Sequence, residues 1–113
     1  MKNDTPSEHA EQSLFVQWFR RTYKDVRIFA IPNGGHRSKA TAMALKVEGV
    51  CSGVPDLYIP EWHLWIEMKR QKGGVLSPTQ KDWRDYLLSI GDGWLIAKGF
   101  EDAAKQVKEY RHE

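Results

Sequence analysis

One segment in the middle of the chain restricts the fold more than any other, because two β-prone runs, residues 56–59 and 63–69, flank a turn at Pro60-Glu61-Trp62. The two runs are expected to pair as an antiparallel hairpin. A two-residue loop in this turn pairs residues whose numbers sum to 123, so that Asp56 lies directly opposite Glu67. The sequence therefore predicts two carboxylates side by side on one face of a sheet.

Two facing carboxylates repel each other unless a cation lies between them, because paired residues have Cβ atoms only about 4.5–5.5 Å apart. Mg²⁺ is suited to this position, since one or two protein carboxylates and several waters commonly hold it. Lys69 shares a face with Glu67 through strand alternation, whereas residues 64, 66 and 68 are apolar and face the other way. Alternation of apolar residues with Glu and Lys is also typical of an ordinary half-exposed hairpin. The facing Asp56 favours the chemical interpretation, in which a metal activates water and the lysine stabilises charge on a phosphate.

The remaining elements follow from capping and periodicity, and give the order αβαββαβα. Thr5-Pro6-Ser7-Glu8 predicts a capping box with the first helix starting at Pro6 and running to about Tyr23, with apolar residues Leu14, Phe15, Trp18 and Phe19. Ser77-Pro78-Thr79-Gln80 predicts a second capping box that opens a later helix. The other predicted elements are a strand at 27–31, a helix at 38–48, a strand at 93–98 and a helix at 101–111.

Size and charge set broad limits on the class of protein. A chain of 113 residues can build one core, so we expect a single stand-alone domain over residues 1–113. The polar N-terminal residues and the lack of a long apolar run predict an intracellular, cytoplasmic protein. The net charge of +2 is too small to identify a nucleic-acid partner, although residues 69–84 form a locally basic strip. The lone Cys51 is expected to be structural.

Several motifs resemble the PD-(D/E)xK nucleases and, within them, the VRR-NUC domain. Pro55-Asp56, then ten residues, then Glu67-Met68-Lys69 is similar to the catalytic motif of that superfamily. The similarity extends over roughly residues 7–110 and includes four further motifs: Glu8-x-x-x-Gln12, Pro32-Asn33-Gly34-Gly35, Gly53-Val54-Pro55-Asp56-Leu57 and Ser77-Pro78-x-Gln80. The resemblance implies an α/β fold with a restriction-endonuclease-like αβββαβ core, a helix inserted after the first strand and a C-terminal helix.

The resemblance also implies roles for particular residues. Asp56 and Glu67 correspond to metal-binding carboxylates, the Met68 carbonyl to an additional ligand, and Lys69 to the catalytic lysine. The acid of the first helix corresponds to Glu8 by its spacing to Gln12, or to Glu11, which a helical wheel places nearer the centre of the apolar stripe. Gln80 corresponds to a glutamine near the active site, although its place in a capping box also explains it.

Candidate phosphate contacts cluster after the glycine loop and in the basic strip. They are Asn33, His36, Arg37, Ser38, Lys39, Lys72 and Lys81. Trp62 and Trp65 lie at or near the predicted hairpin turn and are candidates for stacking on a base or for covering a partner chain.

These features together predict an endonuclease that hydrolyses DNA with Mg²⁺ or Mn²⁺. A small monomer with one active site cuts one strand, which favours a homodimer acting on branched or Holliday junction DNA. Two alternatives stay open at this point. One is a non-catalytic DNA-binding or assembly module with the nuclease fold, and the other is a nuclease that acts on RNA.

Overall fold

The computed structural model describes residues 5–32 and 37–111, which form four helices and four strands. In chain order these elements are α1 (Glu8–Thr22), β1 (Phe29–Ala30), α2 (Lys39–Val47), β2 (Leu57–Ile59), β3 (Leu64–Lys69), α3 (Pro78–Ser89), β4 (Gly93–Lys98) and α4 (Phe100–Arg111). The predicted order αβαββαβα is confirmed, and the fold is a mixed α/β fold.

The four strands form one sheet in the order β1-β2-β3-β4. β1 pairs with β2 and β2 pairs with β3 in antiparallel orientation, whereas β3 and β4 are parallel. Parallel neighbours need a crossover connection, and α3 supplies it between β3 and β4. The helix therefore begins close to the end of β3, where Lys69 lies.

The predicted hairpin register is confirmed. Leu57 pairs with Ile66, Tyr58 with Trp65 and Ile59 with Leu64, and each of these pairs sums to 123. The turn is a short 3₁₀ helix, Pro60–Trp62, in place of the two-residue loop that we expected, and His63 closes it with φ of 50°. This turn leaves the pairing unchanged.

The core lies on the face of the sheet that α1 and α4 cover. Alternate residues of β2 and β3 are fully buried there against Phe15 and Phe19 of α1 and Val107 of α4. These strand residues are Leu57, Ile59, Leu64, Ile66 and Met68. Because side chains alternate along a strand, the opposite face carries Glu67 and Lys69, as the sequence predicts, together with the aromatic rings of Tyr58 and Trp65.

The start of the first helix differs from the prediction. Ser7, rather than Thr5, is the N-cap, since its side chain accepts a hydrogen bond of 3.1 Å from the amide of Ala10. The helix consequently begins at Glu8 instead of Pro6. Glu8 therefore occupies the first helical position rather than the third, where it would have closed a capping box.

Three smaller expectations also change. Leu14, placed in the apolar stripe of α1, is 52% exposed, whereas Glu11 is buried in the stripe, as the helical wheel predicts. The first strand is limited to Phe29–Ala30, and the last helix begins one residue early, at Phe100. The capping box at Ser77 and Gln80 is confirmed in both of its hydrogen bonds. No helix in residues 5–32 and 37–111 is long and apolar enough to cross a membrane.

The loop before β2 passes very close to the first turn of α3 at Gly53. This glycine has φ of +91°, and a Cβ atom there would lie 2.7 Å from the carbonyl carbon of Thr79. Only glycine accommodates both the backbone angle and the close approach. The contact fixes the loop that leads into Asp56 against the helix that carries Gln80.

We predict that Gly53→Ala lowers the free energy of unfolding by about 1–2 kcal/mol through the positive φ and by about 1–3 kcal/mol more through overpacking against Thr79. Gly49→Ala is the matched control, because Gly49 also has positive φ but no atom within 4 Å of the added Cβ. Urea unfolding of both variants measures the difference. Equal destabilisation would contradict the close contact at Gly53.

Candidate active site

A cleft of about 780 Å³ opens on the polar side of the sheet. α2, the loop 50–54 and the first turn of α3 form its walls, and residues from α1, β2 and β3 also line it. Glu8, Asp56, Glu67 and Gln80 are all among the lining residues. Four residues predicted at the site therefore share one cavity.

Asp56 and Glu67 lie at the next position of the hairpin register beyond the Leu57–Ile66 pair. Oδ2 of Asp56 accepts a hydrogen bond of 2.7 Å from the backbone N–H of Met68, which holds its carboxylate against β3. Glu67 is only 2% exposed. The two carboxylates are thus held in place by the backbone pairing of β2 with β3 and by the Met68 amide.

Burial and negative charge raise the pKa values of Glu67 and Glu8. Burial, together with the neighbouring charge of Asp56, raises the pKa of Glu67 to about 9, and Lys69 opposes this shift. The pKa of Glu8 is also raised, by burial and by Asp56, again with Lys69 acting in the opposite direction. The three acids and the lysine therefore interact electrostatically as one group.

Gln80 connects the lysine to the buried glutamate. Its Oε1 accepts hydrogen bonds of 2.9 Å from Nζ of Lys69 and 2.9 Å from the amide of Ser77. Its Nε2 donates to Oε2 of Glu67 over 3.2 Å. Because two donors converge on Oε1, the amide has one orientation that satisfies all three bonds. Gln80 is consequently both the capping-box residue and a neighbour of the site, which were separate interpretations from the sequence.

One buried oxygen at the site receives no hydrogen bond from a protein donor. Oε1 of Glu67 is buried and accepts no hydrogen bond, although buried carboxylate oxygens are normally satisfied. No group of three or more His, Cys, Asp or Glu side chains in the described part of the chain forms a metal cluster. Mg²⁺ needs only one or two carboxylates, so the Asp56–Glu67 pair with its free oxygen fits such an ion.

Glu11 is engaged elsewhere. Its Oε1 accepts a hydrogen bond of 2.8 Å from the amide of Phe100 at the start of α4, and its Oε2 accepts one of 2.5 Å from Nε2 of Gln71. Glu11 is 3% exposed and does not line the cleft. Of the two acids proposed from α1, the structure brings Glu8 to the carboxylate pair and assigns Glu11 to helix capping.

The predicted phosphate contacts are spread around the cleft. Arg37 lines it and donates to the Pro32 carbonyl oxygen over 2.9 Å. Ser38 caps α2, since its Oγ accepts from the amide of Thr41. Lys39, Lys72 and Lys81 are exposed and lie outside the lining, and Asn33 and His36 lie outside the described residues.

Lys46 of α2 also lines the cleft, but the sequence analysis missed it. The signal was available, because Lys46 lies four residues after Ala42, and residues four apart share one face of a helix. Ala42, Leu45 and Lys46 together form the α2 wall.

Comparisons with known proteins identify the family and the fold of the chain. A family model described as the VRR-NUC domain matches residues 2–93. A solved structure described as a VRR_NUC domain protein superimposes with a TM-score of 0.77, at 25% sequence identity, over 97% of this chain and 90% of that chain. A search of curated proteins found no match.

The family model and the structural match together define the chain as a nuclease-type domain. The chain belongs to the VRR-NUC domain family, as its resemblance to that family indicates. Family membership supports a nuclease-type function in the processing of DNA.

We predict that Glu67→Gln stabilises the metal-free protein at neutral pH by about 1–3 kcal/mol, since it removes a buried ionisable group. The folded-state pKa of Glu67 is raised, so its contribution to stability is complete below the unfolded pKa near 4.5 and is lost as pH rises towards about 9. The advantage of the variant should therefore grow from pH 5 to 8.5 in urea unfolding with EDTA.

Glu61→Gln is the control for this comparison, because Glu61 is exposed in the hairpin turn. It should follow the wild-type pH dependence. A wild-type protein that is as stable as Glu67→Gln at pH 8.5 would contradict the raised pKa.

Proposed function

We propose that the protein is a metal-dependent endonuclease that hydrolyses DNA phosphodiester bonds. The observation that carries the proposal is the pair of the partly buried Asp56 and the buried Glu67, with one Glu67 oxygen that accepts no hydrogen bond and with Lys69 beside it. A purely structural acid pair has no need for an unsatisfied oxygen in a wide cleft. The family match independently supports nuclease chemistry.

The element order fits the αβββαβ core of the PD-(D/E)xK superfamily. In this assignment α1, β1, β2, β3, α3 and β4 are the core, α2 is the inserted helix and α4 is the C-terminal addition. Asp56 then precedes the second strand of the core, and Glu67 and Lys69 end the third. This correspondence supports the catalytic assignment of all three residues.

Asp56 and Glu67 would hold Mg²⁺ or Mn²⁺, with the Met68 carbonyl and Glu8 as the further candidate ligands. The bound ion would polarise the phosphate and lower the pKa of a water. Lys69 would place a positive charge beside the reacting phosphate, held by its hydrogen bond to Gln80. Gln80 would keep the lysine and Glu67 at a fixed separation, since it contacts both.

We predict that Lys69→Ala lowers metal-dependent nicking of supercoiled plasmid DNA by at least about 100-fold, with the fold retained. Lys105→Ala is the control, because Lys105 is exposed on α4, across the sheet from the cleft. Nicking by the wild type in Mg²⁺ or Mn²⁺, and its absence in EDTA, is the expected result. No nicking with either metal would favour the non-catalytic binding module, and full activity in Lys69→Ala would refute the role of the lysine.

We further propose that two copies act together on branched or Holliday junction DNA. One carboxylate pair per chain can cut one strand, so paired incisions require two chains. α2 supports this proposal, because Met43 and Val47 lie one helical turn apart, are 64% and 81% exposed, and do not line the cleft. A nine-residue helix without buried residues gains little stability by itself, so contact with a second copy would stabilise it.

Cleavage of single-stranded, flap, duplex and four-way junction substrates, with sedimentation of the same samples, tests this proposal. We predict the highest rate on a branched substrate and a sedimenting species of two copies. Junction cleavage by a strictly monomeric protein would contradict the dimer. RNA substrates of equal sequence test the remaining alternative. Faster cleavage of RNA than of DNA would identify RNA as the substrate.

A further inference from the structure

Three aromatic side chains form a continuous row across the sheet. Phe29 of β1 pairs with Tyr58 of β2, and Tyr58 pairs with Trp65 of β3. The ring centroids are 5.9 Å apart for Phe29 and Tyr58 and 4.1 Å apart for Tyr58 and Trp65. We refer to Phe29, Tyr58 and Trp65 as the aromatic row.

The aromatic row lies on the same face of the sheet as the carboxylates. Tyr58 follows Asp56 by two residues, and Trp65 precedes Glu67 by two. Side chains two residues apart on a strand project from the same face, about 6.6–6.8 Å apart. Tyr58 and Trp65 are therefore the neighbours of the carboxylate pair, Asp56 and Glu67, on that face. A nucleotide adjoining a phosphate held at that pair can therefore reach the row.

The hydrophobic core does not account for these rings. The core residues of β2 and β3 face the opposite side, against α1 and α4. Phe29 remains 47% exposed at the edge of the sheet. Trp65 is fixed by a hydrogen bond of 2.9 Å from its Nε1 to Oδ2 of Asp92, so the row has a rigid inner end and an accessible outer end.

Positive charge lies at both ends of β1, beside the row. Nη2 of Arg20 donates to the Ile28 carbonyl oxygen over 3.2 Å, and Arg27 is exposed two residues before Phe29. At the other end, Arg37 contacts the Pro32 carbonyl oxygen and lines the cleft. These guanidinium groups complement the phosphates of a strand that follows the β1 edge.

We propose that the aromatic row, through the exposed ring of Phe29 at its outer end, is a stacking platform for one unpaired base next to the phosphodiester at Asp56 and Glu67. Bases inside a duplex are stacked on both faces, whereas an unpaired base at a branch or a strand end offers a free face to a ring. Stacking tolerates any base, so the row selects DNA by structure and not by sequence. This inference rests on the proposed nuclease function, and it assigns Phe29 and Tyr58 as positioning residues.

The test measures binding in EDTA, where no hydrolysis occurs. One forked duplex carries 2-aminopurine at its first unpaired nucleotide, and a second fork carries an abasic nucleotide there. The wild type should quench 2-aminopurine fluorescence and bind the intact fork about tenfold more tightly than the abasic fork. The double variant Phe29→Leu/Tyr58→Leu should bind both forks equally and leave the fluorescence unquenched.

Two controls separate stacking from general damage to the fold. Tyr58→Phe keeps a ring and should retain both quenching and discrimination. Tyr86→Leu removes an aromatic ring of similar exposure on α3, outside the row, and should retain wild-type discrimination. If the double variant loses its folded circular dichroism spectrum, Phe29→Leu alone provides the test, because Phe29 is half exposed.

The outcomes distinguish this inference from the proposed function. Discrimination and quenching that persist in the double variant, or in folded Phe29→Leu, would overturn the platform even if the enzyme cuts DNA. A wild type that stacks the base but never cleaves DNA with Mg²⁺ or Mn²⁺ would uphold the platform and refute the nuclease. Equal wild-type binding to both forks would also overturn the platform.

Discussion

The pairing of β2 with β3 is the constraint on which the rest of the site depends. Because strand side chains alternate with a period of two, a slip of one residue would turn Glu67 into the core and Met68 towards the cleft. The buried pairs Leu57–Ile66 and Ile59–Leu64 oppose such a slip on one face. Contact between the rings of Tyr58 and Trp65 opposes it on the other face.

The site has a cost in stability that the fold accommodates. Glu67 is buried next to another acid, so its ionisation is unfavourable until a cation is present. Gln80 and Lys69 reduce this cost without removing it, because one oxygen of Glu67 stays unsatisfied. Active sites commonly retain such locally unfavourable groups, and the surrounding core must supply the compensating stability.

Much of this arrangement could be predicted from the sequence, because it follows from local rules. Strand alternation and the proline-containing turn were enough to pair Asp56 with Glu67, and the Ser77–Gln80 capping box was visible in four residues. Contacts over long sequence distances could not be predicted in this way. The choice between Glu8 and Glu11 depended on a backbone amide 89 residues from Glu11, and the N-cap depended on which of two hydroxyls met an amide. The position of α2 in the cleft wall likewise depends on tertiary packing, which local sequence patterns do not specify.

The carboxylate of Glu11 links the beginning of the chain to its last helix, through bonds spanning 60 and 89 residues. During synthesis on a ribosome, α1 emerges early, yet its buried acid gains its first partner only when Gln71 emerges and its second only when Phe100 does. Glu8, one turn earlier on the same helix, depends on this docking for its place in the cleft. A nascent chain that has not yet exposed Phe100 would therefore lack one of the two bonds that dock α1, which delays the arrival of Glu8 in the cleft.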